Sequence, residues 1–220
     1  MKEIVLDTET TGLSVREGHR IVEIGCIEIE NYIPTQKTFH CYLNPEKKVS
    51  QKALEVHGYT DRFLSTKKKF KEIVNEFLNF IKDKKLIIHN AEFDLGHLNN
   101  ELHLIGKDKI KNEIIDTLVL AREKYPGSPI SLDALCRKFK IDNSKRTQHT
   151  ALIDCDLLAK VYINLTDQKE PMLNFQNQDS LNGNLKNETI AHFKKIVKLS
   201  DQEIESHKNY LKQSLKKNFF

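Results

Sequence analysis

The hydrophobic positions of the first 45 residues fall in short runs, which is typical of β-strands. Residues 3–9 (EIVLDTE) and 21–29 (IVEIGCIEI) are rich in β-branched side chains, residues 38–43 (TFHCYL) form a third run, and turn-forming residues separate or end these runs. Consecutive strands joined by short connections tend to be neighbours in one sheet. We therefore predict that the sheet begins with a three-stranded antiparallel meander.

From residue 70 onwards the hydrophobic positions follow the period of a helix. Apolar residues at 70, 73, 74, 77, 78 and 81 lie on one face of an amphipathic helix. Further helices are predicted around residues 95–105, after a Ser131 N-cap, and from about 150 to 165, with brief strands at 86–89 and 114–115. Strands that alternate with helices predict an α/β fold, with a mixed central sheet flanked by helices.

The composition changes after residue 165. Eight of the 20 positions from 168 to 187 are Asn or Gln, and such a segment buries too little apolar surface to fold alone. The predicted organisation is a compact domain at 1–165, a flexible linker at 166–187 and a tail at 188–220. The tail has weak helical periodicity, and a solvated tail without a partner is the alternative. Its candidate partner-binding residues are Ile190, Phe193, Tyr210 and Leu211.

The charge and the cysteine pattern exclude several classes of protein. Thirty-five basic against 31 acidic residues leave a net charge of +4, which excludes a histone-like nucleic-acid binder. We expect neither a signal peptide nor a membrane span, because strand periodicity begins at Ile4 and no apolar run reaches about 20 residues. The four cysteines are far apart, so we expect free thiols in a reducing cytoplasm.

The residues that indicate chemistry are four acids and one histidine. Asp7 and Glu9 are two positions apart on the first predicted strand, so both point to one face of the sheet. Asp94 follows the predicted strand at 86–89, at the sheet edge where ligands gather in α/β folds. His149 and Asp154 lie at the start of the last helix, five residues apart, and cannot share a helix face. We expect His149 to approach from the preceding loop and Asp154 to project from the second turn.

Each of these residues alone also has a purely structural explanation. Asp94 could simply stabilise a helix N-terminus, and a lone histidine in a polar loop is usually solvated. Together, however, four carboxylates favour Mg²⁺ or Mn²⁺ over zinc. Two such ions can bind the attacking and leaving oxygens of a phosphoryl group, and a histidine can take the proton of water. The set therefore predicts metal-dependent phosphodiester hydrolysis. The loop at 142–148 (DNSKRTQ) has no apolar anchor, and we expect it to become ordered only with substrate or metal.

Five segments resemble the DEDDh 3′–5′ exonucleases, and in order and spacing they resemble the epsilon subunits of bacterial DNA polymerase III. The resemblance covers about residues 1–165 and implies a ribonuclease H-like fold; the tail is similar to that of some epsilon subunits through weaker motifs. The segments are DTETTGL (7–13), RIVEIG (20–25), VHG (56–58), HNAEFD (89–94) and HTALIDCDLLAKVY (149–162).

The resemblance also assigns roles to single residues. It implies that His149 is the general base and that two divalent cations, Mg²⁺ or Mn²⁺, are held by the four acids Asp7, Glu9, Asp94 and Asp154. The position at which some members have a further acidic substrate contact is Lys52 here, so that contact is altered. The implied substrate-binding residues are Asp7, Glu9, Thr10, Leu13, His57, Lys52 and Asp154.

The implied activity is a proofreading 3′–5′ exodeoxyribonuclease that releases nucleoside 5′-monophosphates from a frayed or single-stranded DNA 3′ end. The implied location is the cytoplasm, and the implied partner is the alpha subunit of DNA polymerase III. Residues 170–175 (EPMLNF) occupy the place of a sliding-clamp motif but lack its glutamine. Two alternatives remain: a ribonuclease T-like enzyme that trims RNA 3′ ends, and an inactive nucleic-acid-binding adaptor of the same fold.

Overall fold

The computed structural model describes residues 2–144, 146, 148–166 and 201–214. Of residues 211–214 only the backbone is described. The chain divides near residue 173 into two units, each considered by itself. The first unit is built on a five-stranded mixed sheet in the order β3-β2-β1-β4-β5. β1, β2 and β3 form the predicted antiparallel meander, and β1, β4 and β5 run parallel. The strands are β1 Lys2–Thr10, β2 Ile21–Glu30, β3 Ile33–Tyr42, β4 Lys85–Ile88 and β5 Ile114–Asp116.

Seven helices accompany the sheet in the described part of the first unit, and four of them were predicted. The helix at 70–81 and the helices near 95–105, 131–139 and 150–165 are confirmed. Helices α1, α2 and α5 were not predicted, because elements of four to eight residues give only a weak periodic signal. The helices are α1 Gln51–His57, α2 Asp61–Leu64, α3 Phe70–Ile81, α4 Ala91–Leu104, α5 Thr117–Lys124, α6 Leu132–Phe139 and α7 Ala151–Leu165.

Side-chain caps begin several of these helices. Ser131 accepts a hydrogen bond from the backbone N–H of Ala134, as its predicted N-cap role requires. Thr150 accepts from the N–H of Ile153 and begins α7. Because α7 starts at Ala151, Asp154 lies in its first turn. The prediction that Asp154 projects from the second turn is therefore wrong.

The core consists of one apolar layer on each face of the sheet. Ile4 and Leu6 of β1 pack in the layer that includes α3 and α4. Val5 faces the other way and packs in the layer that includes α6 and α7. Since side chains alternate along a strand, Asp7 and Glu9 share the Val5 face and point toward the α7 side. The alternation of β1 thus determines which helix can complete the acidic site.

The second unit is described over one helix, α8 Asp201–Ser214. Ile204 and Tyr210 on this helix are exposed, at 38% and 62% of their surface. Only the backbone of Leu211 is described. Several predicted features lie outside the described residues: Ile190, Phe193, the linker beyond Thr166 and the segment 170–175. No helix among the described residues is both long and apolar enough to cross a membrane. All four cysteines are free thiols, and three of them are buried.

Candidate active site

Three chain segments bring the predicted acids and histidine to one end of the sheet. β1 contributes Asp7 and Glu9, the first turn of α4 contributes Asp94, and the start of α7 contributes Asp154. His149 comes from the loop just before α7, as predicted. Ligand atoms of Glu9, His149 and Asp154 all lie within 4.8 Å of one another. The structure therefore groups these three directly. Asp94 is bonded to Thr8, between Asp7 and Glu9, and Asp7 lies close enough to Asp94, Glu9 and Asp154 for their charges to act on it.

Asp94 is tied to β1 by hydrogen bonds. It is 3% exposed, and its Oδ1 atom accepts from the backbone N–H of Thr8 at 3.0 Å and from the Thr8 hydroxyl at 2.7 Å. α4 is itself held by Asp116, whose carboxylate accepts from the N–H groups of Asn90 and Ala91. This role of Asp116 was not predicted, because an acid between β5 and α5 signals a cap for α5 and not a bond to α4.

Three of the carboxylates at this end hold protons far more tightly than usual. Burial, and then the charges of Asp94, Glu9 and Asp154, raise the pKa of Asp7 well above its ordinary value. Burial and the neighbouring charge of Asp154 raise the pKa of Glu9 to about 8. Burial raises the pKa of Asp94 to about 7 and outweighs the hydrogen bonds from Thr8. Acids in this situation either share protons or bind a cation.

This donor set fits hard divalent cations. Carboxylate oxygens are the preferred ligands of Mg²⁺ and Mn²⁺, and the group of Glu9, His149 and Asp154 offers one imidazole and no thiolate, which is not the ligand set of a structural zinc site. Glu9, His149 and Asp154 are close enough to share one ion. Burial and the charges of neighbouring acids raise the pKa values of Asp7, Glu9 and Asp94, and a bound divalent cation would offset that repulsion.

Arg146 is a member of the site that the sequence analysis did not identify. Its guanidinium donates to both carboxylate oxygens of Asp154, at 2.6 and 2.8 Å, and its Nη1 atom lies 2.8 Å from Oδ1 of Asp133. Its Nη2 atom lies 2.8 Å from Nδ1 of His149. The 142–148 loop has no apolar anchor, as noted from the sequence, but this arginine anchors it by polar bonds. An arginine close in sequence to a cluster of acids was the available signal.

The pKa of Asp154 shifts in the opposite direction from those of its acidic neighbours. Burial acts to raise it, but hydrogen bonds from His149 and Arg146 outweigh burial and lower it. Asp154 is therefore the acid of the cluster that most readily carries a negative charge.

A cavity of about 500 Å³ opens beside Glu9. Leu13 stands at its mouth with 80% of its surface exposed, and Phe93 and His57 also line it. Of the predicted substrate contacts, Asp7 and Asp154 are not among the lining residues. Those that do line the cavity are Glu9, Thr10, Leu13, Lys52 and His57.

His57 is held in one orientation at the wall of this cavity. The backbone N–H of Tyr59 donates to its Nδ1 atom at 3.0 Å, so Nε2 carries the hydrogen in the neutral ring and donates to the Thr10 carbonyl at 3.2 Å. Burial lowers the pKa of His57, which favours that neutral form. A fixed, uncharged ring beside an apolar leucine suits contact with a nucleotide base.

Comparison with known proteins identifies the family. The model of the RNase_T exonuclease family matches residues 4–162. The chain is 44% identical to DNA polymerase III subunit epsilon of Rickettsia felis, over 98% of both chains. It is 45% identical to the epsilon subunit of Buchnera aphidicola subsp. Schizaphis graminum, over 95% of both chains.

Solved structures agree on the fold. The nuclease domain of 3′hExo, a DEDDh family member solved with bound rAMP, matches with a TM-score of 0.67 at 17% identity, over 76% of this chain and 92% of that chain. Exonuclease X, solved with 5′-overhanging duplex DNA, matches with a TM-score of 0.61 at 24% identity, again over 76% and 92%. The predicted ribonuclease H-like fold is confirmed. The chain is a member of the RNase_T exonuclease family and belongs to its DNA polymerase III epsilon subunits, the 3′–5′ exonucleases that the sequence motifs indicated.

Proposed function

We propose that this exonuclease proofreads DNA synthesis, removing mismatched 3′-terminal nucleotides as nucleoside 5′-monophosphates. The observation that carries the proposal is the grouping of Glu9, His149 and Asp154 within 4.8 Å beside a cavity of nucleotide size. Such a site can cut one phosphodiester bond at a chain end. High-coverage similarity to epsilon subunits supports DNA at a polymerase as the substrate.

The metal ligands in this proposal are Asp7, Glu9, Asp94 and Asp154, with two divalent cations, Mg²⁺ or Mn²⁺, per site. When bound, such ions supply Lewis-acid polarisation of the phosphate and positive charge. The residues of the chain do the rest. Hydrogen bonds from Thr8 fix the carboxylate of Asp94. The first turn of α7 places the carboxylate of Asp154 within 4.8 Å of that of Glu9.

His149 is proposed to take the proton of the attacking water. Its position is fixed by its backbone N–H, which donates to the Val56 carbonyl at 3.2 Å, and by the contact of its ring with Arg146. Positioned proton transfer of this kind contributes about 10²–10⁴-fold to a rate. Because Val56 precedes His57, the same contact places the base next to the wall of the nucleotide cavity.

The cavity explains preference for a frayed end. A mismatched terminal nucleotide unpairs at lower cost than a paired one, so it enters the pocket near Leu13 and His57 more often. Lys52 at the rim supplies a positive charge near the phosphate path, where some relatives have an acid. The small net charge of the chain is sufficient if the polymerase holds most of the DNA backbone.

The decisive experiment compares three 3′ ends: a mismatched DNA primer, a paired DNA primer and a single-stranded RNA. Proofreading requires Mg²⁺-dependent release of deoxynucleoside monophosphates, fastest from the mismatched primer. Faster release from RNA than from mismatched DNA would instead support an RNA-trimming enzyme. Absence of release with either metal would support the inactive adaptor.

We also propose that residues 188–220 bind the polymerase alpha subunit in the cytoplasm, through the exposed surface of α8 that carries Ile204 and Tyr210. A tether raises the effective concentration of the nuclease at the primer end. The double variant Ile204→Ala/Tyr210→Ala should lose co-purification with the alpha subunit while it releases free nucleotides normally; Glu205→Ala on the same helix is the control. Unchanged co-purification would exclude this surface. A clamp contact through 170–175 is tested by adding the sliding clamp to the same assay.

A further inference from the structure

Glu23 of β2 is a fully buried acid that the chemistry above does not use. It belongs to the RIVEIG segment, has 0% exposure, and pairs across the strands with Glu9. Like charges directly opposite each other in a sheet are destabilising. A buried glutamate beside a proposed metal ligand therefore needs favourable interactions that offset this repulsion.

Three hydrogen-bond partners surround the Glu23 carboxylate. Its Oε1 atom is 2.7 Å from Nε2 of His40, and its Oε2 atom accepts from the Tyr59 hydroxyl at 2.8 Å and from the backbone N–H of Ala151 at 3.0 Å. These partners come from β3, from the segment after α1 and from α7. One carboxylate thus connects three separate parts of the chain around the site.

The bond to Ala151 locates the N-terminus of α7. Ala151 is the first residue of this helix, whose first N–H groups have no partner within the helix. Gly25, two residues along β2, lets the helix approach: a Cβ added there would lie 2.6 Å from the backbone carbon of Ala151. Asp154 follows Ala151 by three residues and His149 precedes it by two. The Glu23–Ala151 bond therefore sets where both catalytic-site residues stand over β1.

The bond to Tyr59 locates the wall of the nucleotide cavity. The Tyr59 ring stacks on His57 with centroids 4.8 Å apart and planes at 22°, and the Tyr59 backbone N–H holds Nδ1 of His57. A shift of the Tyr59 ring would therefore move His57. Through Tyr59, Glu23 reaches the nucleotide contact without touching the nucleotide.

We propose that Glu23 is a positioning residue that holds the nucleotide-contacting His57 and the Asp154-bearing helix in one fixed relation. The proposal rests on the function proposed above for His57 and Asp154. It assigns the RIVEIG segment a role: Gly25 makes room for α7, and Glu23 joins that helix to the cavity wall. A shift of about 1 Å in such a relation is enough to reduce a rate about a hundredfold.

The geometry predicts which substitution preserves this role. In Glu23→Gln, the remaining oxygen can keep both Tyr59 and Ala151, while the new amide donates to His40, whose ring accepts in its other tautomer. Glu23→Ala loses all three bonds. Tyr59→Phe keeps the stacked ring and the Ala151 bond but loses the Tyr59–Glu23 bond.

The experiment measures kcat and KM for nucleotide release from a single-stranded DNA oligonucleotide by the full chain with Mn²⁺, together with thermal unfolding. Glu23→Ala should lower kcat about a hundredfold and raise KM, and Glu23→Gln should stay within about fivefold of the wild type. Tyr59→Phe should raise KM about fivefold with kcat unchanged. Glu28→Ala is the matched control, since Glu28 is a buried acid on the same strand far from the site.

Glu28→Ala should lower the unfolding midpoint as Glu23→Ala does, with kcat and KM unchanged. An equal loss of kcat in Glu28→Ala would reduce the Glu23 effect to general destabilisation and overturn the proposal. Full kcat in Glu23→Ala, or no recovery in a folded Glu23→Gln, would overturn it as well. Failure of the proofreading proposal is a separate result. If the wild type degrades the oligonucleotide without preferring mismatched primers, the Glu23 variants can still be compared with it.

Discussion

The two ends of the sheet both bury carboxylates but give them opposite partners. At the end away from the site, Glu28 is 2% exposed and has Lys84 at 2.8 Å, Lys37 at 3.9 Å and Lys2 at 4.0 Å. The hydrogen bond from Lys84 lowers the pKa of Glu28. A hollow of about 700 Å³ at that end is lined by seven lysines. There the chain supplies the cations itself.

At the site end, Asp7, Glu9 and Asp94 do not receive such charge compensation from basic side chains. Within the described part of the chain, Asp7, Glu9 and Asp94 form no ion pair with a lysine or arginine, and Arg146 pairs only with Asp154 and Asp133. Their pKa values are raised where that of Glu28 is lowered. Asp7, Glu9 and Asp94 therefore suit a cation site, whereas Glu28 already has lysine partners and is structural.

The largest expected effect compares a proposed metal ligand with Glu28 by activity. Asp154→Ala should lower Mg²⁺-dependent nucleotide release by about three orders of magnitude, because loss of a metal ligand removes several kcal/mol of transition-state stabilisation. Glu28→Ala should retain the wild-type rate at temperatures well below its unfolding midpoint. Nucleotide release from labelled single-stranded DNA checks both. Retained activity in Asp154→Ala would remove Asp154 from the proposed metal site.

The next effect concerns the proposed base. His149→Gln should lower kcat by about 10²–10⁴-fold, since proton transfer by a positioned side chain contributes that much. Mn²⁺ binding, followed by the electron spin resonance of the free ion, should weaken much less than in Asp154→Ala. Loss of metal binding as severe as in Asp154→Ala, with no additional rate defect, would make His149 a ligand rather than the base.

The two ends should also respond oppositely to pH. In EDTA, the folded protein holds protons on Glu9 up to about pH 8 and on Asp94 up to about pH 7, whereas the unfolded chain releases them near 4.5 and 3.8. The free energy of unfolding should therefore fall as pH rises between about 4.5 and 8, by at most about 1.4 kcal/mol per pH unit for each group. Urea unfolding at several pH values measures this slope.

The directions of these pKa shifts also predict the results of the control experiments. Glu9→Gln should flatten the slope, because an amide has no proton to lose. Mn²⁺ at about 100 times its dissociation constant should add about 2.7 kcal/mol of stability to the wild type at pH 8. Glu28 should have the opposite effect. Because its pKa is lowered in the folded protein, the stability that its ionised carboxylate contributes is lost as pH falls. A slope unchanged by Glu9→Gln would contradict the raised pKa of Glu9.

The smallest effect is expected at the lysine-rich end. Lys84→Met removes the nearest cation of Glu28, but Lys2 and Lys37 remain within 4.0 Å. The loss of stability should be about 1 kcal/mol, and nucleotide release should be unchanged. Chemical denaturation and the same nuclease assay measure the two. A larger rate defect than stability defect would show that this end communicates with the site.

Much of this molecule follows from local sequence. The period of two in β1 places Asp7 and Glu9 on one face, and the period of 3.6 at 70–81 predicts α3, because burial of one face imposes those patterns. The Ser131 cap is equally local. The spacing of His149 and Asp154 already required the base to come from a loop. The acids of the site were therefore accessible from the sequence, as was the family.

Only the tertiary structure decided which partners the acids receive. Asp116 accepts hydrogen bonds from Asn90 and Ala91 at the start of α4 across 26 and 25 positions, and Glu23 reaches Ala151 across 128 positions. These bonds depend on the order β3-β2-β1-β4-β5 and on α7 crossing near Gly25, which no local period encodes. Sequence patterns record which face of an element is buried. The charges that meet there are determined by long-range packing, and here they make one buried acid structural and another a site for a cation.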